Sequence, residues 1–239
     1  MKITHQRYFY VLVLLFIPIA MWAAINPIDR SDWALENVLV VVFILTLIIT
    51  IGKFPLSRVS YTLIFIFLFL HEIGSHYTYA LVPYDEWFKR LTDSTLNSIF
   101  GFERNHFDRL VHFCYGLLLA YPIREIFIRI ANVKGFWSYF LPLDLTMSSS
   151  MIYELVEWGA AEAFGGELGV AYLGTQGDIW DAHKDMGLAS IGALITMIIV
   201  AAINIRLQRD FAQEWNESLS IRHHEPLGED EIDRMLKEH

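Results

Sequence analysis

Six stretches of this chain are long and apolar enough to cross a lipid bilayer, and that one feature leaves few folds open to it. A hydrocarbon core needs about 20 apolar residues per helix. Such runs occupy roughly 8–25, 33–52, 60–82, 108–130, 136–164 and 182–205. Inside hydrocarbon every backbone polar group must find a partner within the protein, so only helices and closed barrels remain. The runs are continuous rather than alternating, which excludes a barrel. The expected fold class is all-α, a polytopic membrane helix bundle of about six transmembrane helices. With 54% hydrophobic and only 19% charged residues, the chain lacks the polar surface to solvate a globule of its 239 residues. The first run follows Lys2 and Arg7 and ends in WAAINP with no separate polar mature domain behind it, so a retained helix is expected rather than a cleaved signal peptide.

Two regions follow from this pattern: a transmembrane domain over 1–205 and an acidic tail over 206–239. The tail sets nine acids against five bases and supplies nearly half of the net charge of −9. It reads as a solvated appendix, with a narrow apolar stripe of Ile232, Met235 and Leu236 near its end. An acidic chain makes nucleic acid an unsuitable partner. The lone Cys114 lies in an apolar stretch and can form neither an intrachain disulfide nor a thiolate cluster.

Basic residues in short connections set the orientation. Lys2 and Arg7, Lys53 and Arg58, Arg129 and Lys134, and Arg206 and Arg209 mark one set of helix ends, which should face the cytoplasm. Both termini are therefore expected inside, in a plasma membrane. Pro27 and Pro55 fall in short turns, whereas Pro122 and Pro142 lie within spans. Gly165, Gly166 and the GTQG at 174–177 mark a tight turn on the opposite side.

A charged side chain in hydrocarbon costs about 2.5–3.5 kcal/mol on insertion scales, so ionisable residues within the runs are informative. The third run ends in HEIGSHYTY, with His71, Glu72 and His76. The fourth begins NHFDRLVHF, with His106, Asp108, Arg109 and His112. The fifth carries YELVEW, with Glu154 and Glu157, and the sixth is entered through GTQGDIWDAHKDM, with Asp178, Asp181, His183, Lys184 and Asp185. With alternating direction, all four sets converge on the outer half of the membrane. Residues three or four apart share a helix face. Glu72 and His76, Asp108 and His112, Glu154 and Glu157, Asp178 and Asp181, and Asp181 and Asp185 are thus paired.

Carboxylates and imidazoles are the donors that Zn, Mn or Fe ions take. The candidate metal ligands are His71, Glu72, His76, His112, Asp178, Asp181 and Asp185. The candidate catalytic groups are Asp108, Arg109, Glu154 and Glu157, one glutamate serving as general base and Arg109 offsetting oxyanion charge. His71 and His76, five apart and turned about 140° from each other, cannot share one ion from a regular helix. HExxH and GxSxG are missing from the chain, and none of the six apolar runs carries Glu-x-x-His. A hydrolase or transferase acting on a lipid or cell-envelope precursor suits such a pocket. The same groups would also serve a proton-coupled or ion transporter, or a network that only packs helices.

From Pro27 through the sixth run the chain resembles the YjdF-type bacterial inner-membrane proteins, through the HEIGSHYTY, DRLVHF, YELVEW and GTQGDIWDAHKDM blocks. The second half is more distantly similar to VanZ-like proteins, which are associated with teicoplanin resistance. Asp108, Arg109 and His112 stand where that family has an acid-base-x-x-His helix start, Glu154 and Glu157 where it has Glu-x-x-Gln, and Asp181 and Asp185 where it has Asp-x-x-x-Asn. An upstream Arg common in that family has no counterpart near Asp178. The resemblance implies a fold and a shared polar site more acidic than the VanZ-like one; neither family brings an established reaction.

Overall fold

The structure is a computed structural model that describes residues 4–164, 166, 175–207, 211–221 and 228–238, and among these residues helices joined by turns and short connections are the only regular elements. The long helices are α1 (His5–Ala24), α2 (Arg30–Thr50), α3 (Arg58–His76), α6 (Phe107–Ile130), α7 (Trp137–Phe164) and α8 (Asp181–Leu207). Short helices α4 (Tyr84–Thr92) and α5 (Leu96–Phe100) fill the α3–α6 connection, and α9 (Phe211–Ser218) and α10 (Glu229–Glu238) follow α8. Gly165, Gly174, Arg209, His223 and His224 lie outside the described residues.

Helix starts obey the capping rules. Thr4 accepts from the Arg7 N–H, Asp29 from Ser31 and Asp32, and Ser57 from Ser60, each satisfying donors that the first turn leaves open. The third apolar run is expected to be helical to 82, yet α3 stops at His76. Thr78 and Tyr79 take left-handed backbone angles, φ 53° and 50°, and turn the chain back on itself. Bare of a side chain, Gly74 leaves the space into which the Tyr79 ring folds.

Five helices, α1, α2, α3, α6 and α8, are long and apolar enough to cross a membrane. The expected count was about six. Although α7 has 28 residues, Asp144, the Ser148–Ser150 run, Glu154 and Glu157 lower its hydropathy. It runs alongside α6 and α8 all the same, with an apolar outward face that includes Met151, Leu155 and Trp158.

Apolar side chains cover the outside of the bundle, and the ionisable groups within its spans turn inward among a core that also buries Phe9, Tyr61, Leu68 and Met197. Leu14, Met21, Leu39, Val42, Ile152 and Ile198 are exposed, while Asp32, Glu36, His71, Glu72, His112, Asp181 and Asp185 are buried. At its centre α6 packs closely on α8. A methyl group on Gly116 would fall on the Ala189 carbonyl, and one on Gly192 on the Phe113 carbonyl. Ala120, Ala189 and Ala193, all fully buried, extend this small-residue seam, and Thr196 donates to the Leu117 carbonyl at 2.5 Å. Such seams let backbones approach where no hydrophobic effect drives association. Around this pair stand α3 and α7, with α1 against α3. By contrast α2 packs on α3 and only loosely on the rest of the bundle.

The two ends of the bundle are tied differently. At the end holding the start of α3 and the finish of α6, Glu125 accepts from the Ser57 N–H and the Ser60 hydroxyl and pairs with Arg129, whose guanidinium also donates to the Pro55 carbonyl. The tail departs here from a solvated appendix. Phe211 and Trp215 of α9 pack on Tyr139, Met197 and Val200, and Trp137 donates to the Ser218 carbonyl. The opposite end carries the polar site.

Candidate functional site

Close packing of α6 on α8 sets the first turn of one beside the first turn of the other, so Asp108 and His112 face Asp181 and Asp185. Their groups sort into two layers. In the outer layer Arg104, from the connection before α6, donates to the Thr175 carbonyl at 2.6 Å and pairs with Asp181 at 2.8 Å. Arg109 donates to Asp181 at 3.1 Å, to Asp178, and to the His106 ring at 3.3 Å. Lys184 closes on Asp178 at 2.5 Å. The Lys184 ammonium, the Trp180 N–H and Arg109 hold the Asp178 carboxyl well below the usual carboxylate range. Burial, Arg109 and Arg104 together push the His106 imidazole below its ordinary value.

One turn deeper, the balance of charge reverses. Asp108, His112 and Asp185 each offer a ligand atom, all within 4.8 Å of one another. The His112 Nε2 lies 3.6 Å from Asp108 Oδ1 and 3.5 Å from Glu154 Oε1. Glu154 Oε1 and Asp185 Oδ1 are buried and receive no hydrogen bond. Arg109 and Lys184, the bases that would neutralise this layer, are committed to Asp178 and Asp181 above it. Buried carboxylates without a counter-charge are costly, and one imidazole with two or three carboxylate oxygens is a donor set that divalent Zn, Mn or Fe ions accept. The residues present fit such an ion.

The other candidate residues divide. His71 lies at the edge of this layer, hydrogen-bonded to the Tyr79 hydroxyl at 2.6 Å. Asp178 and Asp181 belong to the ion-paired layer rather than to the ligand group. His76 is turned away from it, with Nδ1 donating to the Ala23 carbonyl at 3.0 Å and the ring stacked on Trp22. Glu72 is fully buried on α3, and neither of its oxygens has a hydrogen-bond partner. Glu157 lies half-buried one turn beyond Glu154.

Two participants escape the motif blocks. Glu36 on α2 is buried and accepts from the Tyr153 hydroxyl of α7 at 2.9 Å. Asp32 and Glu36 are four apart at the start of an otherwise apolar helix, so the test that singled out Glu154 would have found Glu36. Arg104 is the second. It lies between α5 and α6, in a connection whose folding back over α8 no local pattern announces.

Beside the inner layer a cavity of about 570 Å3 opens among α2, α3, α6 and α7. Its polar end is formed by Glu36, His71, Tyr79, Asp108, His112 and Tyr153, and the rest of its wall is mostly apolar, interrupted by Thr46, Tyr115, Ser149 and Ser150.

Comparison with known proteins agrees with this architecture. Over 198 residues the chain is 36% identical to the protein named Inner membrane protein YjdF of Escherichia coli (strain K12), an alignment that covers 81% of this chain and 88% of that protein. No solved structure matches the chain. A family model described as Predicted membrane protein (DUF2238) matches residues 8–206, which include every long helix and both layers of the site. The chain therefore belongs to the DUF2238 family of multi-pass membrane proteins.

Proposed function

We propose that this protein is a membrane-embedded hydrolase or transferase that binds a divalent cation and acts on a lipid-linked or cell-envelope precursor. The observation that carries the proposal is the separation of charge. Asp108, His112, Glu154 and Asp185 are drawn together beneath a layer that already uses Arg104, Arg109 and Lys184. Asp108, His112 and Asp185 would hold the ion, which would supply Lewis acidity and an activated water. Glu154 stands beside His112 with a free oxygen suited to accept a proton, and Glu157 continues the same face of α7. Arg109 and Arg104 stand at the rim, where they would offset negative charge on an incoming head group. The positive-inside bias of Arg7, Lys53, Arg58, Arg129 and Lys134 puts the Glu125 end in the cytoplasm, so the site opens outward.

Titration of detergent-purified protein with Mn2+, followed by electron paramagnetic resonance, tests the ligand set. Asp108→Asn and Asp185→Asn should each weaken binding by at least about tenfold, since losing even a group that only hydrogen-bonds to a metal's ligands costs about 10–100-fold. Equal affinity in wild type and both variants would overturn the proposal. If the acids served a proton or ion pathway instead, liposomes holding the protein would dissipate an imposed gradient, and Asp108→Asn would abolish the leak.

A further inference from the structure

We propose that the cavity among α2, α3, α6 and α7 is a binding site for a single long hydrocarbon chain of a membrane lipid, which enters sideways between α2 and α7. This deepens the function proposed above by naming what lies beside the cation site, and it rests on that reading only for the chemistry at the polar end.

Three observations carry it. The first is shape. The lining of α6 runs from Asp108 to Ile126, about 27 Å at 1.5 Å per residue and close to the thickness of the hydrocarbon core. A volume of about 570 Å3 spread over that length makes the cavity long and narrow, a shape that takes an extended chain rather than a helix about 10 Å across. The second is polarity. Phe43, Phe67, Leu119, Ile123 and Val156 line the body, whose polar side chains are the neutral Thr46, Tyr115, Ser149 and Ser150, while the carboxylates and imidazoles gather at the end that meets Asp108 and His112. An amphiphile with its chain in the body would present its head group to the candidate ligands.

The third is access. One side of the cavity is bounded by α2, which packs on α3 more closely than on α6 or α7. Leu39 and Val42 line the cavity and are each more than half exposed, so the wall at this point is also the lipid-facing surface. Across the opening, the Tyr153 hydroxyl of α7 donates a hydrogen bond to Glu36 of α2 at 2.9 Å. It sits at the polar end, away from the apolar part of the gap lined by Leu39, Val42, Ile152 and Val156. A lipid chain can therefore enter from the bilayer without passing through water.

The test uses full-length protein in nanodiscs and a monoacylglycerol whose chain carries a diazirine at its methyl end. After photolysis, label should concentrate on Phe43, Leu119 and Ile123, and exceed that on Leu14, a far more exposed, lipid-facing residue of α1. Ile123→Trp fills the narrow body and should cut cavity labelling by about tenfold. Val42→Trp, at an exposed position that the fold tolerates, should do the same from the mouth. Even labelling of α1 and the cavity walls, or labelling indifferent to both substitutions, would overturn the inference. The experiment is run with and without Mn2+. Labelling retained in protein that binds no metal would remove the catalytic proposal and keep the chain site, and metal binding without cavity labelling would do the reverse.

Discussion

Removing the charge of Asp181 should unlock the outer layer and destabilise the whole bundle. Its carboxylate pairs with Arg104 at 2.8 Å and accepts from Arg109 at 3.1 Å. These side chains are only 4% and 13% exposed, so solvent screens them little. A hydrogen bond to a charged group contributes about 1.5–3 kcal/mol, and breaking a buried pair costs about 3–5 kcal/mol because the partner is left uncompensated. Asp178 remains to share the two guanidiniums, so Asp181→Asn should cost about 2–3 kcal/mol, at the lower edge of that range. For a chain of this size each kcal/mol moves the midpoint by about 2–4 °C, so the loss is about 4–12 °C. Thermal unfolding in detergent, read by tryptophan fluorescence, measures it. Arg109→Gln alone and with Asp181→Asn completes a cycle whose coupling should exceed about 1 kcal/mol. Lys184 is 48% exposed, so Lys184→Ala is the control and should change stability by less than about 1 kcal/mol. Additive effects of Asp181→Asn and Arg109→Gln, or a midpoint unmoved by Asp181→Asn, would refute the assignment of these charges to one another.

Acid should act on the same layer. The Asp178 carboxyl is held below its ordinary 3.8, so its contribution is complete above that value and is lost as pH falls through it toward the folded pKa. Midpoints measured from pH 6 down to about pH 3 should fall more steeply in wild type than in Asp178→Asn; parallel curves would contradict this. Gly116→Leu should destabilise by at least about 1–3 kcal/mol in the same unfolding assay, because the added side chain meets the Ala189 backbone. Tyr153→Phe removes the hydrogen bond to Glu36 and should raise amide exchange in the first turns of α2 by roughly tenfold while leaving α8 unchanged.

Most of the architecture was legible because hydrocarbon imposes it. The apolar runs located six long helices to within a few residues, except where Thr78 and Tyr79 turn the chain out of α3, a change that no hydropathy pattern records. The same four blocks also named most of the polar groups, since an ionisable residue in such a run has few reasons to be there. What sequence could not supply was partnership. Helical spacing paired Glu72 with His76, but the rotation of α3 sends His76 to Ala23 and Trp22. Spacing also left Arg109 and Lys184 free to neutralise any nearby acid. Only the packing of α6 on α8, set by Gly116 and Gly192, shows them committed to Asp178 and Asp181 and leaves the layer below acidic. Arg104 was visible as a base in a long connection, and its role needed the fold.

The central proposal, a cation held by Asp108, His112 and Asp185, meets its most direct test in elemental mass spectrometry of protein purified without added metal. The Asp108→Asn/His112→Ala double variant is measured beside it. The proposal predicts about one divalent transition-metal ion per wild-type chain and its loss from a double variant that still elutes as folded protein. Metal-free wild-type protein that is stable and folded would contradict it.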